Sequence, residues 1–572
     1  IGLVWFLVAS CIPLAEHATY NSTSRDIGVY IQVLWNTGHG QPFSTTLLES
    51  NRLHLAEHLA PLLALLAPGY AVVPDPIWLL VLQQASLAFS AVPIYLLARR
   101  LLGGVWPPTL VLAAFFAMPT LTEVALDAFY PVTFSALPLS FAGYFLITGR
   151  WRRGVGCALL APLIEEEAAL TVVGLGCFTL LDRAGRRWSL PLLGFGGLWL
   201  ALAALVVMPS MHDTTTLRGA SDNRTVAHFD ALRHDFAAVL GTVGEDRALP
   251  AARWLLAPTG GLAVLAPEVL LIDLPHAATL LLGDKEGRYR RHWAAPLLPA
   301  IWLATVIGLA RLRRPTLRTA GIVLLCVGSA TTYLADSSLP GGGEHEPEDV
   351  VWSGRAEELS SLVDLIPADG SVAASRRVLG HLADRSELYV YPPSYAGRLW
   401  PPERRVQTYL FDLTNDQTRE ALAGRSSPLR ATRPYAIWVA GPDALLLTDR
   451  SPPATRVVGQ DIGGMRLLGY DVGLDGLVLD VTIHWQLADG GARPRGRVAR
   501  LVGDSGEILA RADGGILDGL FPVSEWPVGQ VVVERSRLVS SGGIPTRLDV
   551  GWLDQGGSLT VMQLPIEASQ GP

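Results

Sequence analysis

The chain has 572 residues and a mass of 61.4 kDa; half of it is hydrophobic and 17% charged, and 45 basic against 52 acidic side chains leave a formal charge of −7. A soluble domain carries about 25% charged residues, so disordered and collagen-like chains are excluded and the apolar residues must be clustered. The acidic balance, with pI ≈ 6.0, argues against a nucleic-acid partner, which needs a basic face.

The clustering is plain along the first 335 residues. Asp, Glu, Lys and Arg are all absent from 76–98, 101–122, 128–149, 188–211 and 293–310. Each run is near or above the roughly 18 residues with which a helix crosses hydrocarbon. No comparable run follows Ala335, so residues 1–335 form one polytopic membrane domain and the remainder is soluble. The chain opens Ile1-Gly2-Leu3 on about 14 apolar residues, which predicts a truncated first helix rather than a signal peptide. The four cysteines, Cys11, Cys157, Cys177 and Cys326, lie in apolar segments without paired or metal-ligand spacing and read as packing residues.

Arginines set the topology. They cluster at Arg99-Arg100, at Arg150, Arg152 and Arg153, at Arg183, Arg186 and Arg187, and from Arg311 to Arg318, each beside an apolar run that the positive-inside rule anchors in the cytoplasm. The path then has an external loop over 16–75, a return through 76–98, and a helical pair over 101–122 and 131–148 with its tip outside. Segments 154–164 and 168–181 are too short to span and are joined by Glu165-Glu166-Glu167, which reads as a hairpin dipping into the membrane with acids at its outer tip. Helix 188–207 leads to an external loop ending near Arg253. Pro258, Gly260-Gly261, Pro267 and Pro275 break 254–283 into short helices. Helices 293–310 and 319–335 then leave everything after Asp336 outside the cytoplasm.

Pro340-Gly341-Gly342-Gly343 and the acidic stretch after it read as a linker. Residues 336–450 alternate helical and strand patterns as a small α/β domain. Residues 451–572 turn to short alternating runs such as 477–485, separated by Gly and Asp turns, which predicts a β-sandwich.

Several residues have chemistry beyond packing. His54-Leu55-Ala56-Glu57-His58 matches H-x-x-E-H, whose histidines could hold zinc with Glu57 as base, but no third ligand is recognisable, and a divalent ion held by some of these groups fits better than a protease. Asp26 stands where an acid caps a first helical turn, and on its own residues that is the plainer reading. Asp127 has the same ambiguity ahead of Pro131. Three adjacent carboxylates at 165–167 are costly to bury and form either a functional site or a solvated tip. Arg288, Arg290, Arg291 and His292, beside Tyr289 and Trp293, form a cationic and aromatic cluster on the outer side, suited to phosphate or to lipid headgroups.

The segment Arg25-Asp26-Ile27-Gly28-Val29-Tyr30-Ile31-Gln32-Val33-Leu34-Trp35-Asn36-Thr37-Gly38-His39-Gly40 resembles the D-L-G-x-x-x-Q-x-x-W-N-T-x-x-G signature of bacterial membrane proteins grouped as domain of unknown function 2079. His58-Leu59-Ala60-Pro61 is similar to that family's H-F-S-P, Glu165-Glu166-Glu167 to its K-E-D, and 365–372 with 381–385 to its C-terminal pattern. Glu165 stands where the family has Lys, and Tyr130-Pro131 where it has His-Pro. The layout, which the resemblance covers from about residue 20 to about 415, is in turn similar to GT-C membrane glycosyltransferases and implies an α-helical polytopic GT-C-like domain followed by an extracytoplasmic α/β domain; the β-sandwich lies beyond it and is similar to extracytoplasmic modules appended to membrane glycosyltransferases, jelly-roll-like and suited to binding carbohydrate. The resemblance implies a bacterial plasma-membrane enzyme that moves a sugar from a polyprenyl-phosphate donor to a glycan, lipid or protein acceptor outside the cytoplasm. Asp26 then matches the general base, with Glu166 a second catalytic candidate. Arg25, His58, Asp127, Arg288, Arg290, Arg291 and His292 are the substrate-binding candidates, and Glu57 with Glu166 the ligands of a divalent metal ion. The rival is a non-enzymatic surface protein that binds glycans or a partner through its C-terminal part; about ten apolar segments exceed what an anchor needs.

Overall fold

The computed structural model describes residues 1–22, 25–48, 53–211, 247–282 and 287–352 in a first compact unit, Ile1–Trp352, and 354–364, 366, 368–391, 406, 408–412, 420, 435–438, 444–448, 454–487, 494, 496–514, 522–526, 528–529, 531–554 and 556–566 in a second, Ser353–Pro572.

The first unit is helical: α1 (Gly2–Ala18), α2 (Arg25–Gly38), α3 (Leu62–Val72), α4 (Ile77–Leu102), α5 (Trp106–Phe116), α6 (Pro119–Leu126), α7 (Ala136–Ile147), α8 (Trp151–Leu160), α9 (Ala168–Leu180), α10 (Arg186–Leu202), α11 (Leu249–Leu256), α12 (Leu274–Leu282), α13 (Leu298–Arg311) and α14 (Pro315–Asp336). Four stretches among the described residues are long and apolar enough to cross a membrane: Ile77–Leu102, Arg186–Met211, His292–Arg311 and Pro315–Asp336. The run 101–122, expected as one straight span, is instead the pair α5 and α6, bent by 49°. Pro119 is the cause. A residue before proline is pushed out of the α region, and Met118 sits at φ −69°, ψ 121°, while Pro119 starts α6 where its missing N–H costs nothing. Segment 254–283 is broken as its prolines and glycines require, with Gly260 and Gly261 both left-handed at φ 61° and 71°.

Packing fixes these pieces around α4 and α13. Trp302 of α13 is fully buried, its ring edge-on to Phe115 at 5.6 Å and its indole N–H directed at the Met118 sulfur at 3.1 Å. Arg99 and Arg100 close α4, and Arg311 closes α13, all exposed. Ser337, just past α14, is fully buried, so the inside-outside path is better read at Glu346 and Ala184, both exposed. On intact cells a Cys at Glu346 is expected to react with an impermeant maleimide and a Cys at Ala184 to be spared; the reverse pattern would overturn the arginine-based topology.

The second unit begins with α15 (Gly354–Asp364) and has thirteen strands among its described residues: β1 (Val372–Ala374), β2 (Leu388–Val390), β3 (Thr408–Asp412), β4 (Tyr435–Trp438), β5 (Ala444–Thr448), β6 (Arg456–Ile462), β7 (Met465–Asp475), β8 (Val478–Leu487), β9 (Gly496–Val502), β10 (Ile508–Arg511), β11 (Val531–Val539), β12 (Arg547–Leu553) and β13 (Leu559–Pro565). One sheet runs β2-β1-β3-β4-β5-β11-β8-β7-β6, the other β10-β9-β12-β13. Strands β1 to β4 pair in parallel, as α/β units do, and the pairing is antiparallel from β5 onward. Residue Thr448 of β5 faces Val531 of β11, so the sheet continues across residue 451, where the sequence suggested a boundary between domains. Both sheets feed one apolar core in which Trp485, Trp526 and Trp552 are fully buried, the Trp485 and Trp552 rings meeting edge to face at 5.2 Å.

Candidate functional site

The signature around α2 is first a folding device. Gln32, fully buried, accepts the Thr45 hydroxyl at 2.7 Å and the Thr46 N–H at 2.9 Å, Asn36 donates to the Ser44 carbonyl at 2.9 Å, and the Thr37 hydroxyl accepts the Phe43 N–H at 2.9 Å. These bonds fold 41–47 back over α2, a turn tight enough to hold Phe43 at φ 57°.

That frame aims Asp26. It is the second residue of α2, where the helix dipole favours a carboxylate, and its Oδ2 accepts the hydroxyl of Tyr130. Tyr130 is itself fixed from behind: Gln83 of α4 accepts its N–H at 2.9 Å and the Thr133 hydroxyl at 3.2 Å, while the Gln83 amide lies 3.4 and 3.3 Å from the carbonyls of Asp127 and Ala128. The Tyr130 ring stacks face to face on His292 at 3.4 Å. Nδ1 of His292 meets Asp127 Oδ2 at 2.7 Å, and the Arg291 guanidinium lies 3.6 Å from Oδ1 of the same carboxylate. Asp26, Tyr130, His292, Asp127 and Arg291 therefore form one contiguous wall.

The hairpin tip reaches the same place from the other side. Glu166 is buried, with one oxygen 3.1 Å from His58 Nδ1 and the other accepting the Leu59 N–H at 2.8 Å. Glu165, 3.5 Å from His58, accepts a hydrogen bond from the backbone of Val132, two residues after Tyr130, and leaves Oε2 without a partner. Between the two halves stands buried Tyr30, its ring 5.9 Å from Tyr130 and 5.3 Å from His54. The loop histidines divide their roles. Burial, and then the charge of His58, bring the His54 imidazole down to about 3, so it stays neutral. Burial alone would lower His58 too, but Glu166 and Glu165 outweigh it and hold that imidazole well above its ordinary range.

Other candidates sit differently. The Arg25 side chain and residues 212–246 lie outside the described residues. Arg290 is committed to Glu344 at 2.7 Å and stacks over Trp254 at 4.0 Å, and Arg288 lies over Trp293 at 5.3 Å. Arg291, its side chain 65% exposed, is the arginine turned to the Asp127 wall. Glu57 is exposed, and among the described residues no group of three or more His, Cys, Asp or Glu side chains is arranged to hold a metal ion. The His54 and His58 rings lie 5.8 Å apart, and His58 Nδ1 is turned to Glu166 at 3.1 Å.

Sequence reasoning passed over Gln83 and Tyr30 as functional parts. Gln83 is uncharged and hides in an apolar run; its signal was an adjacent amide pair, Gln83-Gln84, in a segment otherwise able to live in lipid. No curated protein matches the chain. A family model described as "Predicted membrane protein (DUF2079)" matches residues 16–425, which takes in α2, the hairpin tip, the Arg288 to His292 segment and the first three strands. The chain belongs to this family of predicted membrane proteins.

Proposed function

We propose that this membrane protein is a GT-C-type glycosyltransferase that takes a sugar from a polyprenyl-phosphate donor and passes it to an acceptor hydroxyl outside the cytoplasm. The observation that carries the reading is the single wall on which an oriented carboxylate, Asp26, stands beside a histidine and an arginine, His292 and Arg291. Asp26 removes the acceptor proton, the acceptor oxygen bonds to the anomeric carbon, and the bond from that carbon to the phosphate oxygen breaks, its electron pair leaving with the phosphate. Arg291 and His292 are placed to meet the charge that gathers there. Glu166 keeps His58 and the Leu59 backbone in position. Lipid linkage of the donor agrees with a chain that has no Gly-rich nucleotide loop. Full-length protein purified from bacterial membranes is expected to retain a polyprenyl phosphate or its sugar ester, detected by mass spectrometry of the extracted lipid. Protein carrying only bulk phospholipid, and taking up no added polyprenyl phosphate, would favour the surface-binding alternative.

A further inference from the structure

Asp127 closes α6, its N–H bonded to the Glu123 carbonyl at 2.9 Å and its backbone leaving the helix at φ −59°, ψ 152°. Gln83 steadies the same turn from α4 through the Asp127 and Ala128 carbonyls. Both carboxyl oxygens are in use. Oδ1 accepts the Ala128 N–H at 3.2 Å and faces the Arg291 guanidinium at 3.6 Å, while Oδ2 meets His292 Nδ1 at 2.7 Å and lies 3.4 Å from the His292 backbone nitrogen. With its side chain 10% exposed, Asp127 has little to offer a substrate directly.

What the carboxylate does is orient His292. A carboxylate only accepts, so the 2.7 Å contact places a hydrogen on Nδ1. Face-to-face stacking on Tyr130 at 3.4 Å, with 11° between the planes, fixes the plane of the imidazole, and the bond to Asp127 fixes its rotation within that plane. Trp293, 3.9 Å away and tilted by 40°, crowds the ring further. Nε2 lies on the far edge from Asp127, and among the described residues it has no hydrogen-bond partner. A carboxylate behind an imidazole serves both of its forms: it accepts Nδ1–H from the neutral ring and offsets the charge when Nε2 gains a proton.

We propose that Asp127 is a positioning residue, not a substrate contact: it holds His292 by Nδ1 so that Nε2 is the nitrogen presented to the donor phosphate. The identity of that phosphate rests on the sugar-transfer function proposed above, whereas the pairing of Asp127 with His292 stands on the contacts alone. A protonated Nε2 donates to a phosphate oxygen on the same side as Arg291. The carboxylate balances the imidazolium from behind and does not face the phosphate, which it would repel.

Diethyl pyrocarbonate tests the pairing, because it acylates an imidazole only at a nitrogen with an open lone pair. In full-length protein washed free of lipid in detergent, peptide mapping is expected to find His292 labelled, with the exposed His39 as internal reference. Added polyprenyl phosphate is expected to block the label at His292 and not at His39, and an equal amount of phosphatidylglycerol to block neither. In Asp127→Asn the Ala128 N–H and Arg291 hold the amide oxygen, so the amide NH2 faces Nδ1; the imidazole hydrogen then sits on Nε2, and the label at His292 is lost while His39 reacts at the parent rate. Asp127→Ala removes the carboxylate without placing a hydrogen on Nε2 and is expected to keep the label. An unlabelled His292 in the lipid-free parent, equal labelling of the parent and Asp127→Asn, or loss of the label in both variants would overturn the positioning role, the last by showing that Asp127 only supports the fold. Labelling that depends on Asp127 but is untouched by polyprenyl phosphate, or is blocked as well by phosphatidylglycerol, would overturn the donor phosphate, and with it the function read from the wall, while the pairing of Asp127 with His292 would stand.

Discussion

Asp26→Asn is expected to cut sugar transfer by a factor of about 100 to 10,000, the range that a positioned general base supplies, while leaving expression and retention of the donor lipid intact. The substitution is close to isosteric, and the carbonyl of the introduced amide can accept the Tyr130 hydroxyl as the carboxylate does, so the wall of Tyr130, His292 and Asp127 keeps its shape. What disappears is the ability to take a proton. If the carboxylate serves only the first turn of α2, the loss is confined to about 0.3–1 kcal/mol of helix-dipole stabilisation, and transfer measured with a radiolabelled polyprenyl-phosphate sugar would stay at the parent rate. Equal activity of the two proteins would remove Asp26 from the mechanism without touching the fold.

The parts of this molecule that could be read from the sequence are those fixed by local composition. Apolar runs and flanking arginines locate Ile77–Leu102, His292–Arg311 and Pro315–Asp336 to within a few residues, because hydrocarbon thickness acts on one segment at a time. Pro119 was equally visible but was absorbed into a single run, since hydropathy does not register a missing N–H. The site was half legible. Asp26, Glu166 and His292 stand out as charged or titratable groups in apolar surroundings, whereas Tyr130 and Gln83 join them through contacts spanning 104 and 47 residues of chain, which no local pattern encodes. Glu165 illustrates the same limit: its acidity is obvious, its bond to the Val132 backbone is not. In the second unit the alternating strands after residue 454 were evident, but the pairing of β5 with β11 joins segments more than eighty residues apart and merges two stretches of different texture into one sheet.

That long-range pairing also brings together a buried ion pair on which the second unit depends. Arg497 of β9 and Glu534 of β11 belong to different sheets, are respectively 10% and 2% exposed at the side chain, and contact each other between them. Glu534 further accepts the Trp485 indole N–H at 3.2 Å, and Arg497 donates to the Ser536 hydroxyl at 3.2 Å. Removing one charge strands the other in an apolar interior, which costs about 3–5 kcal/mol, whereas removing both charges together is often nearly neutral. Arg497→Met is therefore expected to destabilise residues 353–572, expressed alone and followed by urea unfolding, by about that amount, and Arg497→Met/Glu534→Leu to recover most of it. The recovery would be incomplete because Trp485 loses its acceptor, a deficit of about 1 kcal/mol. Additive losses in the double variant would mean that the two side chains do not act on one another, and that the sheets are held by the tryptophan core alone.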